Sequence, residues 1–371
     1  MAVSAPNAFK GTLSAAAAAE ALGRGIEDAG WRALRRPVAD GGDGTLDVLL
    51  AAAGAQTRVD YLRVSGPLGR PRLARLGWVA AGVAVVEMAE AVGLRLVGTG
   101  RLDAMRAGSR GVGEMIAGAL DRGARRIIVG VGGSASTDGG VGLMAALGAR
   151  FLDDRGRPTG PGGGLLASIA SVDLSGVDRR LAGCRVDVAV DVRSPMFGPQ
   201  GAAHVFAPQK GASAAQVMIL DAGLRHLAAL VEGATGRPGL ASQAGTGAAG
   251  GAGFALAALG ARLVGGAALV CGEAGLDAAL AGASLVVTGE GRLDSQTAAG
   301  KAPAEVAERA RRAGVPCVAV CGTVTGGQEL FAAVISLDQL GADPRRRVRS
   351  LLRIAGRRAV AIAESARGDH P

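Results

Sequence analysis

The 371-residue chain is expected to be an α/β protein: a Rossmann-like (flavodoxin-like) domain built from both chain ends, interrupted by a second α/β domain with a mixed sheet. Two observations predict this class. At both ends of the chain a short apolar run is followed by a glycine-containing polar loop and then a helix-patterned segment. Open parallel sheets present ligand-binding loops at the carboxyl ends of their strands in this order. The middle of the chain instead alternates apolar and polar residues on either side of Gly82, as an antiparallel hairpin does. The boundaries implied are residues 1–71 with 285–371 for the first domain and 72–284 for the inserted one.

Element by element, Ala2 to Ala5 reads as a strand and Pro6 to Thr12 as a polar loop. Ser14 is placed to cap an Ala-rich helix reaching about Ala29, where Gly30 stops it. A second strand spans Trp31 to Val38, then the loop Ala39-Asp40-Gly41-Gly42-Asp43-Gly44-Thr45 leads into a further helix. The hairpin is expected over Leu73–Val79 and Val83–Met88. A helix follows around Gly111 to Arg122, then the strand Arg126–Val131 and the glycine loop Gly132–Gly140. Near the end come the strand Leu285–Thr288, the loop Gly289–Gly300, the helix Ala302–Ala313 and the strand Val315–Val320.

Hydrophobic residues make up 49% of the chain and aromatic ones 2%, so the core must consist mainly of Ala, Val and Leu, and few rings are available to stack on bases. The formal charge of +9 is spread along the length; its densest run, Arg345, Arg346, Arg347 and Arg349 continuing to Arg358, fits a solvated helix face. No nucleic acid partner is expected. The cysteines, Cys184, Cys271, Cys317 and Cys321, form no CxxC pair, and His204, His226 and His370 are the only imidazoles, which argues against zinc. Cys317 and Cys321 share a strand-like run that would hold their Cα atoms roughly 13 Å apart, too far for a disulfide. With no leader pattern and with the apolar stretch Gly253–Cys271 broken by Arg262, a cytoplasmic protein without a membrane segment is expected. A homo-oligomer is left open.

Of 41 basic residues only three are lysines: Lys10, Lys210 and Lys301, each beside a glycine in a short polar motif. A lysine ammonium is a compact point charge suited to a phosphate or carboxylate in a tight pocket, whereas guanidinium is a wide fork. The three are expected in exposed loops, as anion contacts. Phosphoryl transfer asks for such cations, for backbone N–H groups, for carboxylates that hold Mg²⁺, and for a carboxylate near the attacking hydroxyl. Asp40, Asp43, Asp138, Glu290 and Asp294 lie in or beside glycine-bearing loops, and Asp191 ends an apolar strand. A Walker-type P-loop is missing, because Ser295 stands where its glycine should be, and no protein-kinase signature occurs. A GxGxxG at Gly245, Gly247 and Gly250 follows a loop-like segment. It reads as a glycine-rich helix entry near substrate or phosphate.

Taken in order, the motifs resemble the bacterial two-domain glycerate kinases. The matching stretches are AlaProAsnAlaPheLysGlyThrLeuSer from Ala5, AlaAspGlyGlyAspGlyThr from Ala39, GlyGlySerAlaSerThrAspGlyGly from Gly132 and PheAlaProGlnLysGlyAla from Phe206. GlyAlaAlaGlyGlyAlaGly from Gly247, ThrGlyGluGlyArgLeuAspSerGlnThr from Thr288 and GlyLysAlaPro from Gly300 complete the series, which spans nearly the whole chain. Five positions depart from the usual pattern: Asn7, Asp43, Thr137 and the pair Arg193-Ser194.

The resemblance implies ATP-dependent phosphorylation of D-glycerate with Mg²⁺ in an interdomain cleft, with 2-phosphoglycerate expected over 3-phosphoglycerate. Lys10 and either Asp40 or Asp191 are expected at the reacting groups, the two aspartates being alternatives for the base. Ser134, Asp138, Lys210, Lys301, Gly250 and Gly251 are expected around substrate or phosphate, and Glu290 and Asp294 nearer the metal. Two other readings compete: an NAD-dependent oxidoreductase resting on the GxGxxG, and a non-enzymatic polyanion-binding protein resting on the charge.

Overall fold

The structure is a computed structural model that describes residues 1–98, 100–294, 300–341, 343 and 346–368, with side chains to 366. Ser295 to Thr297 of the Thr288 motif, together with Arg345 and His370, lie outside the described residues. The chain forms two compact units: Met1–Asp40, Asp47–Ala52 and Gly265–Pro371 make one, and Gly41–Leu46 with Ala53–Val264 the other.

The chain-end unit holds a five-stranded parallel sheet of Ala2–Pro6, Ala33–Arg35, Leu285–Leu293, Cys317–Val324 and Ala333–Ser336. Numbered within the unit, its order is 2-1-3-4-5, the flavodoxin-like arrangement. The chain reverses direction across the sheet between Ala2–Pro6 and Leu285–Leu293, so the loops leaving those two strands flank the usual ligand crevice of this topology. On one face the helices Ala15–Asp28 and Val348–Gly368 pack through Leu22, Ile26, Leu351, Leu352 and Ala359. Their backbones meet closely because a Cβ at Gly25 would collide with the Arg353 carbonyl and one at Gly356 with that of Leu22. The opposite face is covered by Ala302–Arg312, Gly266–Glu273 and Leu276–Leu280. The Ser14 hydroxyl accepts from the Ala17 N–H at 3.3 Å and Gly30 follows at φ +83°, so the first helix starts and stops where its sequence signals stand.

The other unit is a six-stranded mixed sheet. Val83–Glu87, Arg126–Gly130 and Arg185–Val190 run parallel, while Arg58–Ser65 and Pro71–Ala80 extend one side as an antiparallel meander. The expected division at 71/72 placed Arg58–Ser65 with the chain ends. It groups here because its full length, Arg58 to Ser65, pairs with Trp78 to Pro71. Gly266–Glu273 and Leu276–Leu280 group with the chain-end unit for a similar reason, since Cys271, Leu276 and Leu280 join the core around Val306 and Ala310. Among the described residues one helix, Ala214–Thr235, is long and apolar enough to cross a membrane by length and composition. Its Val217, Leu220, Leu224, Leu227 and Val231 are buried in the core of this unit. All four cysteines are free thiols, and burial pushes Cys271 and Cys321 up to about 12, which leaves them unreactive.

Candidate active site

The motif residues divide between the two units. In the chain-end unit, Asn7 follows the first strand and its amide donates to Asp40 Oδ2 at 3.3 Å, while its own Oδ1 caps the Ala8 N–H at 2.7 Å. An acidic residue at position 7 would set two carboxylates against each other, so the neutral amide suits a buried Asp40. Lys10 is exposed on the turn closed by the Phe9–Leu13 bridge. Glu290 is buried within Leu285–Leu293, and Asp294 directly after that strand lies 3.9 Å from Lys301 Nζ. Lys301 is the N-cap residue of Ala302–Arg312, makes no side-chain cap bond of its own, and is followed by Pro303 in the first turn; the amide donors of a helix start favour an anion. Lys10, Asp40, Glu290, Asp294 and Lys301 thus all belong to loops or strand ends on the carboxyl side of one parallel sheet.

In the other unit, Ser134, Ser136, Asp138, Lys210 and Gly250 come together. Lys210 is 3% exposed, and its ammonium donates to Ser134 Oγ at 3.1 Å and to the Ser136 carbonyl at 2.6 Å. Burial pulls it down to about 8, partly offset by the Asp138 charge. This corrects the expectation that all three lysines are exposed: Lys210 closes the Ser134–Thr137 loop from beneath. Asp138 is likewise engaged. Its Oδ2 accepts from the Ser109 N–H and hydroxyl, both at 2.8 Å, and from the Gly142 N–H at 3.2 Å, while Oδ1 accepts from the Gly140 N–H at 3.2 Å. Among the described residues, the buried Ser136 Oγ and Thr137 Oγ1 have no hydrogen-bond partner.

Ala249, Gly250 and Gly251 have φ of 53°, 70° and 95°, a left-handed turn at the start of Ala248–Ala258. A Cβ at Gly250 would collide with the Ser136 carbonyl, so glycine alone lets this turn lie against the Ser136–Thr137 backbone. Ahead of Gly245 stands the short 3-10 turn Leu240–Ser242, not the strand a dinucleotide fingerprint requires. The oxidoreductase reading therefore loses its support. Asp191 is exposed immediately after Arg185–Val190, at the carboxyl end of that strand.

Sequence reasoning missed Glu87, the last residue of Val83–Glu87, which is 2% exposed and bonded to the Gly44 and Leu46 amides. The signal was present: a lone carboxylate ending an otherwise apolar strand. A surface hollow of about 490 Å³ lined by Arg58, Trp78 and Arg122 lies beside Gly82, at the amino-terminal end of the parallel strands, and includes none of the motif residues. Among the described residues no three His, Cys, Asp or Glu side chains converge as a metal cluster.

The model of the glycerate kinase family matches residues 2–345. The glycerate kinase of Bacillus subtilis is 44% identical over 327 residues, covering 86% of this chain and 84% of that protein. The glycerate 2-kinase of Escherichia coli is 40% identical over 329 residues, 87% of this chain and 85% of its own. A crystal structure of a protein assigned as glycerate kinase 2, from Salmonella typhimurium LT2, superposes with a TM-score of 0.86 at 39% identity, covering 99% of both chains. The chain belongs to the glycerate kinase family, and with it to the phosphotransferases.

Proposed function

We propose that the protein transfers the γ-phosphoryl group of ATP to the 2-hydroxyl of D-glycerate, giving 2-phosphoglycerate and ADP. The observation that carries this reading is that Lys10, Asp40, Glu290, Asp294 and Lys301 belong to loops or strand ends of one parallel sheet, in a chain 40% identical to a glycerate 2-kinase. Phosphoryl transfer needs little covalent chemistry from the protein. Charge neutralisation and alignment of the hydroxyl with the leaving oxygen supply most of the effect.

Asp191 is the favoured base. It is exposed at a strand end, whereas Asp40 is 4% exposed. In the proposed step the Asp191 carboxylate takes the proton of the 2-hydroxyl as that oxygen bonds to the γ-phosphorus, and the bond to the β–γ bridging oxygen breaks. Lys10 and Lys301 balance charge on the phosphates, with the amino end of Ala302–Arg312 as a further donor set.

Glu290 and Asp294 would hold Mg²⁺. Two carboxylates fit this ion, which commonly takes one or two carboxylates and completes its shell with water and substrate phosphates. When bound, Mg²⁺ supplies charge neutralisation on the phosphate oxygens. Incubation with D-glycerate and MgATP, followed by phosphorus NMR, tests the reading: a 2-phosphoglycerate resonance is expected. A 3-phosphoglycerate signal would overturn the choice of hydroxyl, and equal turnover of glycerol would overturn the substrate.

A further inference from the structure

The loop Gly41–Thr45 rests on the carboxyl ends of three neighbouring strands of its unit. A Cβ at Gly41 would meet the Ala189 carbonyl oxygen at 2.7 Å, and one at Gly130 would meet the Gly41 carbonyl oxygen at 3.1 Å. At Gly132 it would collide with the Gly42 Cα, and at Gly133 with the Asp43 carboxylate. These glycines admit the loop, but they do not hold it. Gly41 and Gly44 have φ of +92° and +91°, and glycine at both leaves the path of the free chain poorly determined.

One side chain grips the loop directly. Glu87 reaches up from the end of its strand; Oε1 accepts the Gly44 N–H at 3.1 Å and Oε2 the Leu46 N–H at 2.9 Å. Gly44 is the N-cap of the helix Thr45–Ala53 and offers no side chain of its own, so Glu87 takes the place of a capping residue from a distant part of the sequence. Its charge also suits the positive end of the helix. Thr45 tightens the same turn by donating its hydroxyl to the Gly42 carbonyl at 2.7 Å. The residue presented by this arrangement is Asp43, exposed, with its carboxylate against Gly133 at the edge of the loop that carries Ser134.

We infer that Glu87 is a positioning residue for phosphoryl transfer: by clamping the Gly44 and Leu46 amides it fixes where the Asp43 carboxylate stands beside the Gly132–Gly140 loop. The inference rests on the kinase reading for its catalytic consequence, but the clamp itself does not. Both carboxylate oxygens are acceptors only while Glu87 is ionised. Burial pushes Glu87 up to about 7, the Leu46 and Gly44 amides pull it down, and the neighbouring Asp43 and Glu90 charges, the latter paired with Arg75, push it further up. Protonation turns one oxygen into a donor facing an N–H, which releases half of the clamp.

Glu87→Gln keeps the shape and one acceptor. In the full-length variant, kcat is expected to fall about 10-fold or more with KM for glycerate and ATP little changed, since the loss falls on alignment. The acid limb of the wild-type pH–rate profile near neutrality should disappear with it. Hydrogen exchange at the Gly44 and Leu46 amides should accelerate while the core strands stay protected. If Glu87→Gln does not fold, Gly44→Ala examines the clamp from its other side: the added Cβ has open space around it but φ +91° is strained for alanine, so the amide must turn away. The same selective loss of kcat is expected there. Wild-type kcat and pH profile in Glu87→Gln, or unchanged exchange at the two amides, overturns the inference. Should the wild-type enzyme not phosphorylate glycerate at all, the exchange result still decides the clamp separately.

Discussion

Asp138 holds Ser109 twice, accepting its N–H and its hydroxyl on one oxygen at 2.8 Å each. The carboxylate thereby ties the start of the helix Arg110–Asp121 to the amides that open Val141–Ala146. Asp138→Asn replaces one acceptor oxygen by a donor facing further donors. Unfolding in urea should show a loss of about 2–3 kcal/mol, the range for buried hydrogen bonds to a charged group. A variant of wild-type stability with a raised KM would instead place Asp138 in direct contact with substrate.

The three lysines should separate by burial. Lys210→Arg enlarges a side chain that is 3% exposed, and is expected to destabilise by about 1–3 kcal/mol by overpacking as well as to lose activity. Lys10→Arg and Lys301→Arg lie at accessible positions and should leave the thermal midpoint nearly unchanged. Their kcat/KM should nonetheless fall on the order of 10-fold, about 1.4 kcal/mol of transition-state stabilisation, if a point charge is needed against phosphate. Arg346→Lys is the matched control, with no change in either quantity.

Stability should fall with rising pH in the acid range because of Glu87. Its carboxyl moves from the ordinary 4.5 to about 7 on folding, so between these values the folded state binds more protons than the unfolded one. The contribution is complete below the lower value and lost as pH rises through the upper, an effect on the order of 3 kcal/mol. Chemical denaturation of wild type and Glu87→Gln at a series of pH values checks this: the slope attributable to Glu87 should be absent from the variant.

Asp191→Asn and Asp40→Asn distinguish the two candidate bases. Asp191→Asn should fold normally and lose about 10²–10⁴-fold in kcat, the usual worth of a general base. Asp40→Asn should cost stability instead, since the Asn7 amide would then donate to a neutral oxygen in place of a buried carboxylate. Single-turnover kinetics with urea denaturation of both variants would show the reverse pattern if Asp40 is the base.

Much of this arrangement is local and therefore written in the sequence. Ser14 and Gly30 bound the first helix, Gly82 turns the hairpin, and the apolar runs at both ends become parallel strands because each such property depends on neighbours within a few residues. Charge type alone singled out Lys10, Lys210 and Lys301, and the motif series identified the family. What tertiary structure decided is how each of those side chains is used. Arg58–Ser65 reads weakly as a strand because its Arg and Asp residues interrupt the apolar alternation, and its place is set by pairing with Pro71–Ala80. Lys210 is buried rather than exposed because a loop more than 70 residues earlier supplies Ser134 and the Ser136 carbonyl. Glu87 clamps amides some 40 positions before it, a contact that no local periodicity encodes. A carboxylate or ammonium looks the same in sequence whether it meets substrate or backbone, and only the fold, by choosing which distant donors surround it, settles its desolvation and its partners.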